Sequence, residues 1–221
     1  RRIMESKESN KDLFKKFIIE DDHPCIMSQT IFKSENYELK TYAGLGSAAS
    51  AAKLLDDLSN YLEKYDFSTN EFFSFIAVFK DESDYSEEEF ERLLWKQLQH
   101  IHNLDDKNWD ETVSNDPEKK SFSFSALGTA FYIVGMHPNS SRSARKSPRP
   151  TLVFNLHWQF EKLREMRVYT RIRDTIRKRD LEKNGSMNPM LVDFGSKSEA
   201  PQYSGRKVGD DWKCPFNHKV D

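Results

Sequence analysis

The chain has 221 residues and a mass of 26.0 kDa, which suits a single domain over residues 1–221. Its formal net charge is only −2, and its 16 phenylalanines, within an aromatic content of 13%, supply large apolar side chains to fill a core or wall a pocket. The longest apolar runs, FIAVF and AFYIVGM, fall well short of the roughly 20 residues of a membrane span, and no basic-plus-apolar leader opens the chain, so a soluble, cytoplasmic protein without a membrane partner is expected.

In chain order, DLFKKFIIE sets Leu13, Phe14, Phe17 and Ile18 at helical spacing and predicts a short opening helix that ends before DDHPC. Pro24 pushes His23 toward extended backbone. NYELKTYAG alternates as a strand, SAASAAKLLDDLSNYLEKY predicts a helix with Leu55, Leu58 and Leu62 inward, and FFSFIAVF reads as a buried strand. Ser86 and Glu89 form a capping box before a helix whose apolar face is Phe90, Leu94, Leu98 and Ile101. FSFSALGTAFYIVGM alternates at Phe122 and Phe124 and turns near Gly128, as a hairpin does.

TLVFN adds a strand, and WQFEKLREMRVYTRIRDTIRKRD predicts one helix with Phe160, Leu163, Ile172 and Ile176 inward. From Gly185 onward glycine, proline, serine and asparagine predict coil. The expected fold is α+β (mixed α/β): one domain with a central β-sheet flanked by helices and an irregular C-terminal tail.

Charge is spread unevenly. Residues 1–141 hold 16 basic and 26 acidic side chains, whereas residues 142–179 hold 12 and 3, a local balance of +9. Such a block attracts anions. In its helical part the arginines interleave with apolar positions and with Glu161, Glu165 and Asp174, as on a solvated face, so no nucleic-acid partner is expected.

Several short patterns have both a chemical and a packing reading. GLGSAAS, with Gly44, Gly46 and Ala49 and with Asp81 after the next strand, fits either a pyrophosphate cradle or close helix packing. His100 and His102 fall on opposite flanks of their helix and cannot chelate one metal together; His102 alone is a helix-borne ligand candidate or a half-buried imidazole. Cys25 in HPC and Cys214 in CPF, far apart and outside any CxxC pattern, are lone thiols that either ligate iron or pack as small hydrophobes. His137 ends the strand AFYIVGM, and Arg142, Arg145 and Arg149 follow it. That segment is a solvated basic loop, or it aims an imidazole and guanidinium forks at an anionic group.

Taken together, HPCIMSQ, LLWKQLQHIHNLDDKNWDETVSNDP, FSFSALGTAFYIVGMHPNSSRSAR, LVFNLHWQFEKLR, IRKRD, GSMNPMLVDFGSKSEAPQYSGR and WKCPF resemble the YqcI/YcgG family. Within it they are most similar to the GntA-like heme-dependent N-hydroxylases of guanitoxin biosynthesis. The resemblance implies an oxidoreductase, a monooxygenase that hydroxylates a nitrogen of a small amine or guanidine substrate with O₂ and electrons from a redox partner. A further member, in cycloserine biosynthesis, is a heme protein that oxidises arginine. No C-x-x-C-H pattern is present, so heme b would be held noncovalently.

Under this resemblance His137 is the expected axial ligand of the iron, with Cys25, Cys214 and His102 as rivals, because a thiolate pushes electron density toward bound oxygen more than imidazole does. Arg142 and Arg145 are expected at the propionates, and Gln202, Tyr203 and Arg206 in the substrate pocket. A noncatalytic heme carrier or sensor is the alternative reading.

Overall fold

The computed structural model describes residues 8–80, 84–186 and 195–218. Asp81, singled out in the cradle reading, lies outside them. The chain opens with α1 (Asn10–Lys15), capped by the Ser9 side chain, which runs into a π-helical turn (Lys16–Glu20). There follow α2 (Ile26–Lys33), β1 (Tyr37–Tyr42), α3 (Ala48–Lys64), β2 (Ser74–Phe79) and α4 (Glu87–Leu104). The hairpin β3 (Phe124–Ala126) and β4 (Thr129–Met136) turns through Gly128, and β5 (Thr151–Leu156) leads into α5 (His157–Glu165) and α6 (Tyr169–Asn184).

The strands form one mixed sheet in the order β1-β2-β5-β4-β3, parallel between β1 and β2 and antiparallel elsewhere. All of β2 is buried, so both faces of the sheet are covered. On the first face, Phe75, Ala77, Phe79, Phe131, Ile133, Leu152 and Phe154 pack against α3 and α4 in the main core. On the second, Ile76, Val78 and Met136 form a smaller cluster with Phe14. The alternation of side chains across each strand thus sorts these residues between a dense core and a looser layer beneath α1, α2, α5 and α6.

Three expectations change in detail. The inward stripe of α3 is Leu54, Leu58 and Tyr61, with Leu55 and Leu62 only partly covered, because the helix rotates its Ala51 side onto the sheet. The long helix after β5 is two helices: Arg167 takes a φ of 58°, and the Val168 N–H reaches back to the Leu163 carbonyl, closing α5. A left-handed arginine in place of glycine leaves no sequence signal for that stop. Helix α2 is an addition, packed on the second face.

Gly46, in the loop before α3, has a φ of +79°, and a Cβ there would lie 2.9 Å from Leu93. Its N–H donates to Gln97 Oε1 at 2.7 Å. The glycine therefore meets the close approach of α4, and its amide is spent on that helix.

Candidate functional site

Between the second face of the sheet and its covering helices lies a cavity of about 300 Å³, within the usual range of small-molecule sites. Its floor is set by strand register. Ser74, Asn155 and Tyr132 sit side by side on β2, β5 and β4, followed by the apolar row Ile76, Val153 and Val134. Ser74 Oγ donates to Asn155 Oδ1 at 2.7 Å, which pairs two members of the polar row with each other. The opposite wall comes from α2 through Met27 and Ile31, and from α5 and α6 through Phe160, Leu163, Ile172 and Ile176. The apolar positions that periodicity assigned to the last long helix therefore face a cavity.

The imidazole and thiol side chains in the wall are His23, Cys25 and His157. The Cys25 N–H donates to His23 Nδ1 at 3.1 Å, so that nitrogen carries no proton, and His23 Nε2–H donates to the Ala144 carbonyl at 2.9 Å. Both nitrogens of His23 are thus committed, and burial pushes its pKa down to about 4. Cys25 is half-buried at the N-cap of α2, and its side chain makes no capping bond. His157 opens α5, with Nε2 3.6 Å from Glu161 Oε1, and burial holds its pKa below the ordinary value. It also lines an adjacent surface pocket shared with Arg164, Asp110 and Trp158.

Arg145, Arg164, Arg173 and Arg177 give the wall its cationic character, and Glu199 is its acidic side chain among the described residues. The Arg145 guanidinium is buried and donates through Nη1 to the carbonyls of Gly135 and Tyr203, at 2.9 and 3.2 Å, and through Nη2 to that of Gln202 at 3.2 Å. It thereby fastens the C-terminal tail to β4. Glu199 accepts from Ser123 Oγ at 2.7 Å and from Tyr203 Oη at 2.6 Å, and burial pushes its pKa up to about 7.

Of the residues expected from sequence, the cavity brings together Cys25, Arg145 and Gln202, and leaves the others elsewhere. His137 is on the first face, its ring stacked on Phe90 with centroids 4.4 Å apart. Arg142 is paired with Asp180 of α6 at 2.5 Å. Cys214 packs beside the main core, and burial pushes its thiol up to about 12. His102 contacts Trp109, Phe216 and His218 at the end of α4.

Tyr203 stacks on Trp95, and Arg206 pairs with Glu91 at 2.7 Å, so both fasten the tail to α4. Sequence reading passed over His23 and His157 as cavity donors and left Glu199 among many acids. The histidine after LVFNL was discoverable, since a strand end delivers its next side chain to one face or the other. The run AFYIVGM, apolar throughout, carries no polarity alternation that would reveal which.

The family model of the YqcI/YcgG family matches residues 14–217. Among curated proteins, the chain is similar to "Uncharacterized protein YcgG" of Bacillus subtilis (strain 168), 27% identical over 211 residues that cover 90% of this chain and 82% of that protein. It is also similar to "Uncharacterized protein YqcI" of the same organism, 25% identical over 207 residues that cover 89% and 81%. No solved structure matches.

Proposed function

The chain belongs to the YqcI/YcgG family, and from that premise and the cavity beneath its helices we propose that it is a heme-dependent monooxygenase hydroxylating a nitrogen of a small amine or guanidine substrate. The observation that carries the reading is the composition of one wall: an apolar chamber in which a thiol and an imidazole stand alongside several guanidinium groups. A porphyrin needs apolar faces, one axial donor and cations for its carboxylates. The residues present fit those needs.

Cys25 or His157, both in the cavity wall, would hold the iron, whereas His137 faces the other side of the sheet. Arg164, Arg173 and Arg177 would hold the propionates. When bound, heme would supply reductive activation of O₂ with two electrons from a redox partner. The chain's own part is to keep water from the apolar wall of Ile76, Val134, Val153 and Phe160, and to hold the substrate nitrogen within it.

The test is the absorption spectrum of the purified protein after heme supplementation, followed by incubation with reductant, O₂ and candidate amines. A Soret band that shifts on adding substrate, and a hydroxylamino product that requires both O₂ and reductant, are expected. A protein with no Soret band sinks the reading, and heme without product favours a carrier. The ferrous–CO band then separates the ligands: a thiolate position that is lost in Cys25→Ala assigns Cys25, and an imidazole position that is lost in His157→Ala assigns His157.

A further inference from the structure

Glu199 presents an unbalanced carboxylate to the cavity. It is 3% exposed, and both of its hydroxyl donors, Ser123 and Tyr203, reach the same oxygen, Oε1. Oε2 accepts no hydrogen bond, and the carboxylate has no ion-pair partner, among the described residues. A buried carboxylate half satisfied in this way is costly. The missing complement is a cation with N–H donors, and Glu199 lines the cavity from which a ligand would supply it.

Other features of the wall narrow the ligand further. Gln202, one helical turn along the tail, accepts from Tyr132 Oη at 3.1 Å, so the neutral groups beside Glu199 are already matched to each other. The nearby guanidinium of Arg145 is spent on three backbone carbonyls. Arg164 acts on Glu199 through its field without bonding to it.

We propose that Glu199 is the cation anchor of the cavity, holding the N–H-bearing cationic end of an amine or guanidine ligand through Oε2. The assignment rests on reading this cavity as the substrate site. It makes Glu199 a specificity-determining residue that separates charged ligands from neutral isosteres of the same shape. A purely structural Glu199, present only to orient Tyr203 and Ser123, would not discriminate between them.

The experiment titrates the protein as purified, heme content recorded by absorbance, with butylguanidinium and with its neutral isostere butylurea, by calorimetry at mildly alkaline pH. Wild type is expected to bind the guanidinium at least about tenfold more tightly, as a charge-assisted pair does. Glu199→Gln, which keeps the acceptor for Ser123 and Tyr203, is expected to lose that preference while its affinity for butylurea stays the same. An unchanged preference in Glu199→Gln, or no binding of either ligand, overturns the assignment. Heme-free protein that still shows a Glu199-dependent preference removes the heme reading and leaves the anchor standing.

If the variant does not fold, the wild type answers through pH. Guanidinium affinity should rise about tenfold per pH unit up to about 7, where Glu199 ionises, and level off above, while butylurea affinity stays flat. The charged and titratable groups around Glu199 are Tyr203 on its own turn, Tyr132 on β4, Arg145 in the preceding loop, and Arg164 and His157 on α5. The tyrosines are pushed up by burial, out of that window, and His157 is held below its ordinary value of 6.5, so the rise that continues from there to about 7 belongs to Glu199. The same pH profile for both ligands overturns the assignment.

Discussion

Met136 and His137 are adjacent, yet their side chains leave the sheet on opposite faces: Met136 lines the cavity, while the His137 ring stacks on Phe90 of α4. The period of two along β4 sends Tyr132, Val134 and Met136 one way and Phe131, Ile133 and His137 the other. His137 Nδ1 is buried without a hydrogen-bond partner, so the ring contributes through packing. His137→Phe is therefore expected to keep the fold within about 1 kcal/mol and, under the proposed function, to bind heme as the wild type does, whereas His137→Ala loses about 3 kcal/mol through the void it leaves. Chemical denaturation and Soret absorbance check both. A folded His137→Phe without heme would return the iron to His137.

Gly135 allows the tail to approach the sheet. Its N–H donates to the Tyr203 carbonyl at 2.7 Å, and a Cβ at this position would lie 2.7 Å from that same oxygen and 2.5 Å from Leu94 Cδ1. Leu94 can rotate, but the Tyr203 backbone cannot move without losing the Arg145 bonds. Gly135→Ala is expected to destabilise the protein by about 1–3 kcal/mol, read as a lower denaturation midpoint. It should also expose Trp95, which stacks on Tyr203, shifting tryptophan fluorescence to the red.

Much of the fold was legible where pattern and environment agree. The Ser86–Glu89 capping box and the face from Phe90 to Ile101 stand as read, as does the hairpin around Gly128. The site was less legible, because strands buried on both faces are apolar throughout and hide which residues face the core and which the cavity. Met27, Ile172 and Glu199 meet only in three dimensions, brought there by α2, by the break at Arg167 and by the tail. Arg142 and Arg145 are both arginines three residues apart in one basic segment, and only the structure separates an ion pair to α6 from a clamp on backbone carbonyls.

Arg142 and Asp180 join the loop after β4 to α6. Asp180 Oδ2 accepts from Arg142 Nη2, while Asn184 Nδ2 donates to Oδ1 at 2.8 Å. Their side chains are 14% and 5% exposed, so removing one partner strands the other in a poorly solvated place. Asp180→Ala is expected to cost about 3 kcal/mol, and the double variant Arg142→Met, Asp180→Leu to regain part of that loss. Hydrogen exchange in α6, which supplies Ile172 and Ile176 to the cavity wall, should quicken in the single variant and recover in the double.

His23 and Glu199 pull the pH dependence of stability in opposite directions. Burial lowers His23 from 6.5 to about 4, so the unfolded chain takes its proton first, and stability falls as pH drops from 6.5 to about 4. Burial raises Glu199 from 4.5 to about 7, so the folded chain holds that proton more tightly, and the stabilisation present below 4.5 is lost as pH rises through about 7. Each interval spans about 2.5 pH units, worth about 3 kcal/mol, and the two largely cancel where they overlap. His23→Gln should therefore gain stability as pH falls from about 7 to 4.5, and Glu199→Gln should lose it from about 6.5 to 4, with the wild type flatter than either. Urea denaturation of the three proteins across this range decides it, since the remaining carboxylates are common to all. Three parallel curves would mean that neither group titrates in the folded protein as its burial requires.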